Sequence, residues 1–215
     1  MTKTALLMLD DGTCFEGEAC GACREAAGEV VFTTGMAGYQ ETLTDPSYYG
    51  QIVVFTAAHI GNYGATANDD EFPDPRASGA VFHDLFTEAD QGGFPHWRAE
   101  ESLNARLARA GLTSITGLDT RALTLHIREH GARNGIISAL DLDRPSLLRR
   151  ARELPSMQGH DLARHAGCPR RYEFLPRPDE TGHNDTLPPL KVSVLDSCAT
   201  RSTLSHLARP TMPVL

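Results

Sequence analysis

The sequence predicts a mixed α/β (α+β) fold, and three observations carry that reading. Short strand-like runs fill the chain as far as Phe82, helical periodicity takes over near residue 99, and a proline-rich stretch over 168–189 sets a short tail apart. A body of about 150–165 residues can bury a full core, whereas the tail is too short to fold alone.

The first element is a hairpin. Ala5-Leu6-Leu7-Met8-Leu9 is apolar, Asp10-Asp11-Gly12 is a turn signal, and Thr13-Cys14-Phe15-Glu16-Gly17 alternates back. Three further strands are expected at 30–33, 52–56 and 80–82, each rich in β-branched or aromatic residues and bounded by turn formers. A first helix carries Leu103, Leu107 and Ala110 at helical spacing and stops at Gly111. Asp119 reads as the N-cap of a second, with Leu123, Ile127 and His130 on one face and Gly131 at its end. A strand at 135–139 leads to a third helix, capped by Asp143, buried through Leu147, Leu148 and Ala151, and ended by Pro155. Pro169, Pro176, Pro178, Pro188 and Pro189 then mark a linker, after which a strand is expected at 191–195, followed by about one helix.

Composition narrows the function. The 215 residues carry 20 Lys and Arg against 28 Asp and Glu, a net charge of −8 without a dense basic run. Such a chain is poorly suited to wrapping nucleic acid or lying on an anionic membrane. No apolar run approaches the roughly 20 residues needed to span a bilayer, and the first residues lack a signal-peptide pattern. Five cysteines, an odd number, fit a reducing cytoplasm better than a disulfide framework.

Two metal-like patterns stand out. His126-Ile127-Arg128-Glu129-His130 matches the H-x-x-E-H of inverted zinc proteases, in which two histidines on one helix face hold the metal and the glutamate activates water. A zinc metallohydrolase is therefore one alternative, although a third ligand and a cleft are not evident. Near the helix end, His130 also has a plainer reading as a favourable partner of the helix dipole. Cys20-Gly21-Ala22-Cys23 is a single C-x-x-C in an expected loop, without the second knuckle zinc sites use, so two incidental thiols are the reading here. Neither a phosphate-binding loop G-x-x-x-x-G-K-[ST] nor a nucleophile elbow occurs. No catalytic and no metal-binding residue is assigned.

A more specific signal lies in Thr34-Gly35-Met36-Ala37-Gly38-Tyr39-Gln40-Glu41-Thr42-Leu43-Thr44-Asp45-Pro46-Ser47-Tyr48. This block resembles the hallmark of the carbamoyl-phosphate synthase small subunit. The likeness continues through Gly50-Gln51-Ile52-Val53, His59-Ile60-Gly61-Asn62 and Asn68-Asp69-Asp70-Glu71, and resumes at Gly117-Leu118-Asp119-Thr120-Arg121 and Arg128-Glu129-His130-Gly131. It runs in register to about residue 165.

The resemblance implies a three-layer β/β/α swivelling-type amino-terminal domain over 1–165, a linker over 166–190, and the incomplete start of a class I glutamine amidotransferase domain over 191–215. In that family glutamine is hydrolysed, and the ammonia passes to a large subunit that uses ATP, Mg and bicarbonate to build carbamoyl phosphate for pyrimidines and arginine. No cofactor is implied for this chain itself. Its expected partners are the large subunit, as a heterodimer in the cytoplasm, and glutamine, which Ser47 would contact through the Thr44-Asp45-Pro46-Ser47-Tyr48 turn.

A hydroxyl on such a turn both donates and accepts, which suits an amino-acid head group; the plainer alternative is that Ser47 only completes the turn, and with the resemblance the ligand contact is the reading taken. Departures are Ala37 in place of the family's usual threonine and Ala58 in place of the proline before His59. Ser197, Cys198, Thr200 and Ser202 stand where the family has an aromatic residue, Gly, Lys and Asn. The amidotransferase's nucleophilic Cys and its His and Glu do not follow. The resemblance therefore implies a truncated, frameshifted or degenerate small subunit without glutaminase activity of its own, or else a free-standing interaction module.

Overall fold

The computed structural model describes residues 3–86, 96–175 and 191–208. The chain falls into two compact units, Met1–Gly159 and His160–Leu215.

In the first unit the opening hairpin forms as its sequence predicts, from β1 (Thr4–Leu9) and β2 (Cys14–Gly21), with Met8 opposite Cys14 and Gly12 at φ 99° in the turn. Next come β3 (Glu25–Thr33), α1 (Tyr39–Thr44), a 3-10 turn (Pro46–Tyr48), β4 (Gln51–Phe55), β5 (His59–Ile60), β6 (Gly79–Val81) and β7 (Asp84–Leu85). The remainder is α2 (Leu103–Ala110), β8 (Thr113–Thr116), α3 (Thr120–His130), β9 (Arg133–Ser138) and α4 (Arg144–Glu153). Seven of these strands close a barrel in the order β1-β2-β8-β6-β4-β3-β9, while β5 and β7 pair separately. β3, β4, β6 and β8 run parallel, and β1, β2 and β9 close the circuit antiparallel. The chain is thus mixed α/β, as expected.

Burial explains the patterns. Ala5, Leu7 and Leu9 point into the barrel with Val30, Ile52, Val54, Val81, Ile115 and Ile137. Leu6 and Met8 point outward beneath Leu147 and Ala151 of α4. β1 is covered on both faces, so it reads as a continuous apolar run instead of alternating. The interior is narrow enough to need glycine: a β-carbon on Gly135 would lie 2.7 Å from Val30 Cγ2, and one on Gly17 would lie 2.3 Å from the Thr116 carbonyl oxygen. Leu123 and Ile127 of α3 join the interior cluster with Leu118. The outer face of β4 and β6 packs through Val53, Phe55 and Ala80 against Tyr39 and Leu43 of α1 and Leu103 and Leu107 of α2.

The expected caps at Asp119 and Asp143 form, their side chains accepting backbone N–H groups at the starts of α3 and α4, and Gly111 closes α2 in the left-handed region; Ser102, not singled out by sequence reasoning, caps α2 in the same way. His130 departs from its expected place on the apolar face of α3, being exposed where Leu123 and Ile127 are buried. Short elements carried no usable signal, among them α1, with only six residues, β8, a four-residue Thr-Ser-Ile-Thr run, and the two-residue strands β5 and β7.

The second unit contains α5 (Ala163–Ala166) and α6 (Arg201–Ala208), with Phe174 packed on Leu204 and Ala208. The strand expected at 191–195 does not form; among these residues only Val192 makes a bridge. Its β-branched residues favour extension, but no named strand lies among the described residues of this unit to pair with it. Of the expected linker, 176–190 lies outside the described residues, whereas Phe174 is buried.

Candidate functional site

Residues 34–48 fold as a loop, the short helix α1 and a 3-10 turn. Asp45 governs the turn. Its Oδ1 accepts the Ser47 N–H at 2.8 Å and its carbonyl oxygen accepts the Tyr48 N–H at 3.1 Å, while its own N–H donates to the Glu41 carbonyl oxygen at 2.8 Å. This is the aspartate-to-backbone bond two residues on that the sequence suggests. Pro46 is buried and Ser47 exposed, so the turn is anchored by its proline and presents a serine hydroxyl to solvent. The Leu43 carbonyl oxygen accepts the N–H groups of Arg76 and Ala77, which ties the turn's approach to the loop before β6.

Behind the turn lies a polar network. The Gln40 amide donates to the Thr66 carbonyl oxygen and to Asp70 Oδ1, each at 2.6 Å, and accepts the Thr66 N–H at 3.1 Å. Asp70 Oδ2 pairs with Arg106 of α2. The rings of Tyr39 and Tyr63 stack with centroids 4.2 Å apart; the Tyr39 hydroxyl donates to the Gly64 carbonyl oxygen at 2.6 Å, and the Tyr63 oxygen accepts the Gly38 N–H at 2.7 Å. Burial pushes the Asp70 carboxyl up, although Gln40 and Arg106 pull it down. Burial also raises Glu41, whose Oε2 is enclosed without a hydrogen-bond partner. The Asp45 bond holds the Ser47 backbone in place.

Gln40, Tyr63, Asp70 and Arg106 were not singled out by sequence reasoning. One signal existed: Arg106 sits between Leu103 and Leu107 on the buried stripe of α2, where an arginine requires a buried partner.

The other sequence candidates do not assemble a site. His126 Nε2 meets Asp11 Oδ2 at 2.6 Å, His130 Nδ1 meets the His126 carbonyl oxygen at 3.0 Å, and Glu129 is exposed. The two histidine rings stack with centroids 4.5 Å apart. The motif therefore ties α3 to the first hairpin, and no three His, Cys, Asp or Glu side chains converge as metal ligands among the described residues. Cys20 is buried, its thiol pushed up to about 12 by that burial, while Cys23 is exposed. Cys198 stands at φ 91°, the only non-glycine residue with positive φ among those described. No described helix is long and apolar enough to cross a membrane.

Comparison with known proteins shows the family. The family model of the carbamoyl-phosphate synthase small chain, CPSase domain, matches residues 7–137. A carbamoyl phosphate synthase small chain of Pectobacterium atrosepticum is 48% identical over 176 residues, covering 81% of this chain and 45% of the relative. One from Thermosynechococcus vestitus is 44% identical over 215 residues, covering 97% and 54%. One from a Synechococcus species is 41% identical over 209 residues, covering 96% and 52%. The chain spans about half the length of the curated relatives it matches.

Proposed function

This chain belongs to the carbamoyl-phosphate synthase small-chain family, and on that premise we propose that it serves as the amino-terminal part of a small subunit, docking on a large subunit and lining one side of a glutamine site. The small subunit supplies ammonia from glutamine; the large subunit, with ATP and Mg, builds carbamoyl phosphate for pyrimidines and arginine in the cytoplasm. Within this reading the barrel with its outer helices is a three-layer β/β/α swivelling-type domain over 1–165. The segment 166–190 is a linker, and 191–215 opens an amidotransferase-like domain.

The observation that carries the proposal is the Asp45-held turn, which offers Ser47 to solvent from a rigid scaffold within the family-matched segment. Its hydroxyl can donate to the α-carboxylate of glutamine or accept from its ammonium group. These residues bring no thiolate-base pair to the turn, so the contribution of Ser47 is binding and orientation.

Size-exclusion chromatography of the chain with a purified large subunit of a carbamoyl-phosphate synthase tests the docking role. A stable complex is expected. Separate elution at micromolar concentrations favours a free-standing module instead.

A further inference from the structure

In the second unit, the one that does not carry Ser47, two chain segments enclose a cavity of about 480 Å³. That volume lies within the roughly 300–1,000 Å³ of small-molecule sites. The floor is apolar. Phe174 and Leu204, 7% and 4% exposed, pack together, with Val194 and Ala199 partly buried beside them. The Arg201 guanidinium lies over the Phe174 ring, 5.2 Å from its centre.

One carboxylate clamps the two segments together. Asp196 Oδ2 accepts the Cys168 N–H at 3.3 Å, and its Oδ1 accepts the N–H groups of Cys198 at 3.0 Å and Ala199 at 2.8 Å. Both oxygens are engaged by backbone donors, so the acidic side chain of the lining is compensated within the wall itself. The cationic side chains of the lining are not. Arg170 and Arg171 line the exposed side of the cavity, and neither guanidinium has a carboxylate partner among the described residues. Tyr172 adds a phenol hydroxyl that can donate.

We propose that this cavity binds an amphipathic organic anion, its apolar body on Phe174 and Leu204 and its anionic group at Arg170 and Arg171. An exposed guanidinium gains little from a lone ion pair in water. An anion whose body is already seated on an apolar floor meets both guanidiniums with little further loss of freedom. Their planar forks also match the oxygens of a carboxylate, sulfonate or phosphate. A neutral ligand of the same shape covers the floor but leaves both cations unmatched, so the mouth selects for negative charge.

Two dyes with the same apolar body test the charge requirement on the 215-residue protein. One is the anion 8-anilinonaphthalene-1-sulfonate, and the other is its neutral counterpart N-phenyl-1-naphthylamine. Titrations followed by dye fluorescence should give one site per chain, with the sulfonate bound about tenfold or more tightly than the amine. Arg170→Gln combined with Arg171→Gln should abolish that preference and leave the amine's affinity and the melting temperature unchanged. Ser193→Trp, which fills the exposed side of the lining, should weaken both dyes about tenfold. Equal binding of the two dyes by the wild-type chain, or an undiminished preference for the sulfonate in the double arginine variant, overturns the anion site. Several equivalent sites that Ser193→Trp leaves untouched overturn the cavity as the place of binding.

Discussion

The Asp70 carboxylate and the Arg106 guanidinium form an ion pair almost sealed from water, with 11% and 10% of the two side chains exposed. The pair joins the acidic loop to α2, and through Gln40 it reaches α1 and the segment that presents Ser47. Removing one partner leaves a buried uncompensated group, which is far costlier than losing a surface salt bridge. Arg106→Ala is therefore expected to destabilise the barrel unit by about 3–5 kcal/mol in urea unfolding. A loss below about 1 kcal/mol, the range of exposed pairs, would show that water reaches the pair.

The barrel interior should reject a single added carbon. Gly17→Ala places a methyl 2.3 Å from a backbone oxygen that no rotamer can move. A cost of about 1–3 kcal/mol or more is expected, read as a lower midpoint in urea. Gly50→Ala, where nothing lies within 4 Å but φ is 78°, isolates the cost of backbone strain for comparison. Equal losses in the two variants would remove the interior-packing argument.

Cys198 occupies a glycine conformation at φ 91°. Cys198→Gly should stabilise its unit by about 1 kcal/mol, the left-handed strain outweighing the added freedom of the unfolded chain. Slower amide exchange in α6 of the variant is the measurement. Faster exchange would mean that the cysteine side chain contributes more than its backbone loses.

Two carboxyls give opposite pH signatures. Burial acts to raise Asp11, but the Thr13 N–H and His126 overcome it and hold the folded carboxyl below 3.8. Its stabilising contribution is present above 3.8 and disappears as pH falls through the lowered folded value. Glu41 is raised above 4.5, chiefly by burial, so its contribution is present below 4.5 and disappears as pH rises through the folded value. Melting curves across this range should show Asp11→Asn losing ground to the parent protein as pH rises, and Glu41→Gln gaining. Curves that stay parallel for both variants would contradict the assigned environments.

The chain alone is expected to release no glutamate from glutamine above the buffer background. Thiolate attack on an amide needs an adjacent base and an oxyanion hole. Asp196, two residues before Cys198, accepts the backbone N–H groups of Cys168, Cys198 and Ala199, so that carboxylate is committed to the turn. Turnover that survives purification and vanishes in Cys198→Ala would overturn this expectation.

The sequence by itself determined those features whose cause is local. The Asp10-Asp11-Gly12 turn, the caps at Asp119 and Asp143, the stop at Gly111 and the Asp45-to-Ser47 bond all depend on groups a few residues apart, so residue type and spacing suffice. The family, too, was legible in the 34–48 block. Tertiary structure alone decided the rest. Closure of seven strands depends on pairings such as β1 with β9, more than a hundred residues apart, and period-two patterning does not name a strand's neighbour. Residues 191–195 have the residues of a strand but, among the described residues of their unit, no strand to pair with, and pairing partners rather than propensity complete a sheet. His126 and His130 have the spacing of a metal site, yet Asp11, brought up by the hairpin, takes the Nε2 of His126. A motif fixes which side chains share a helix face; the packing of distant elements fixes what they meet.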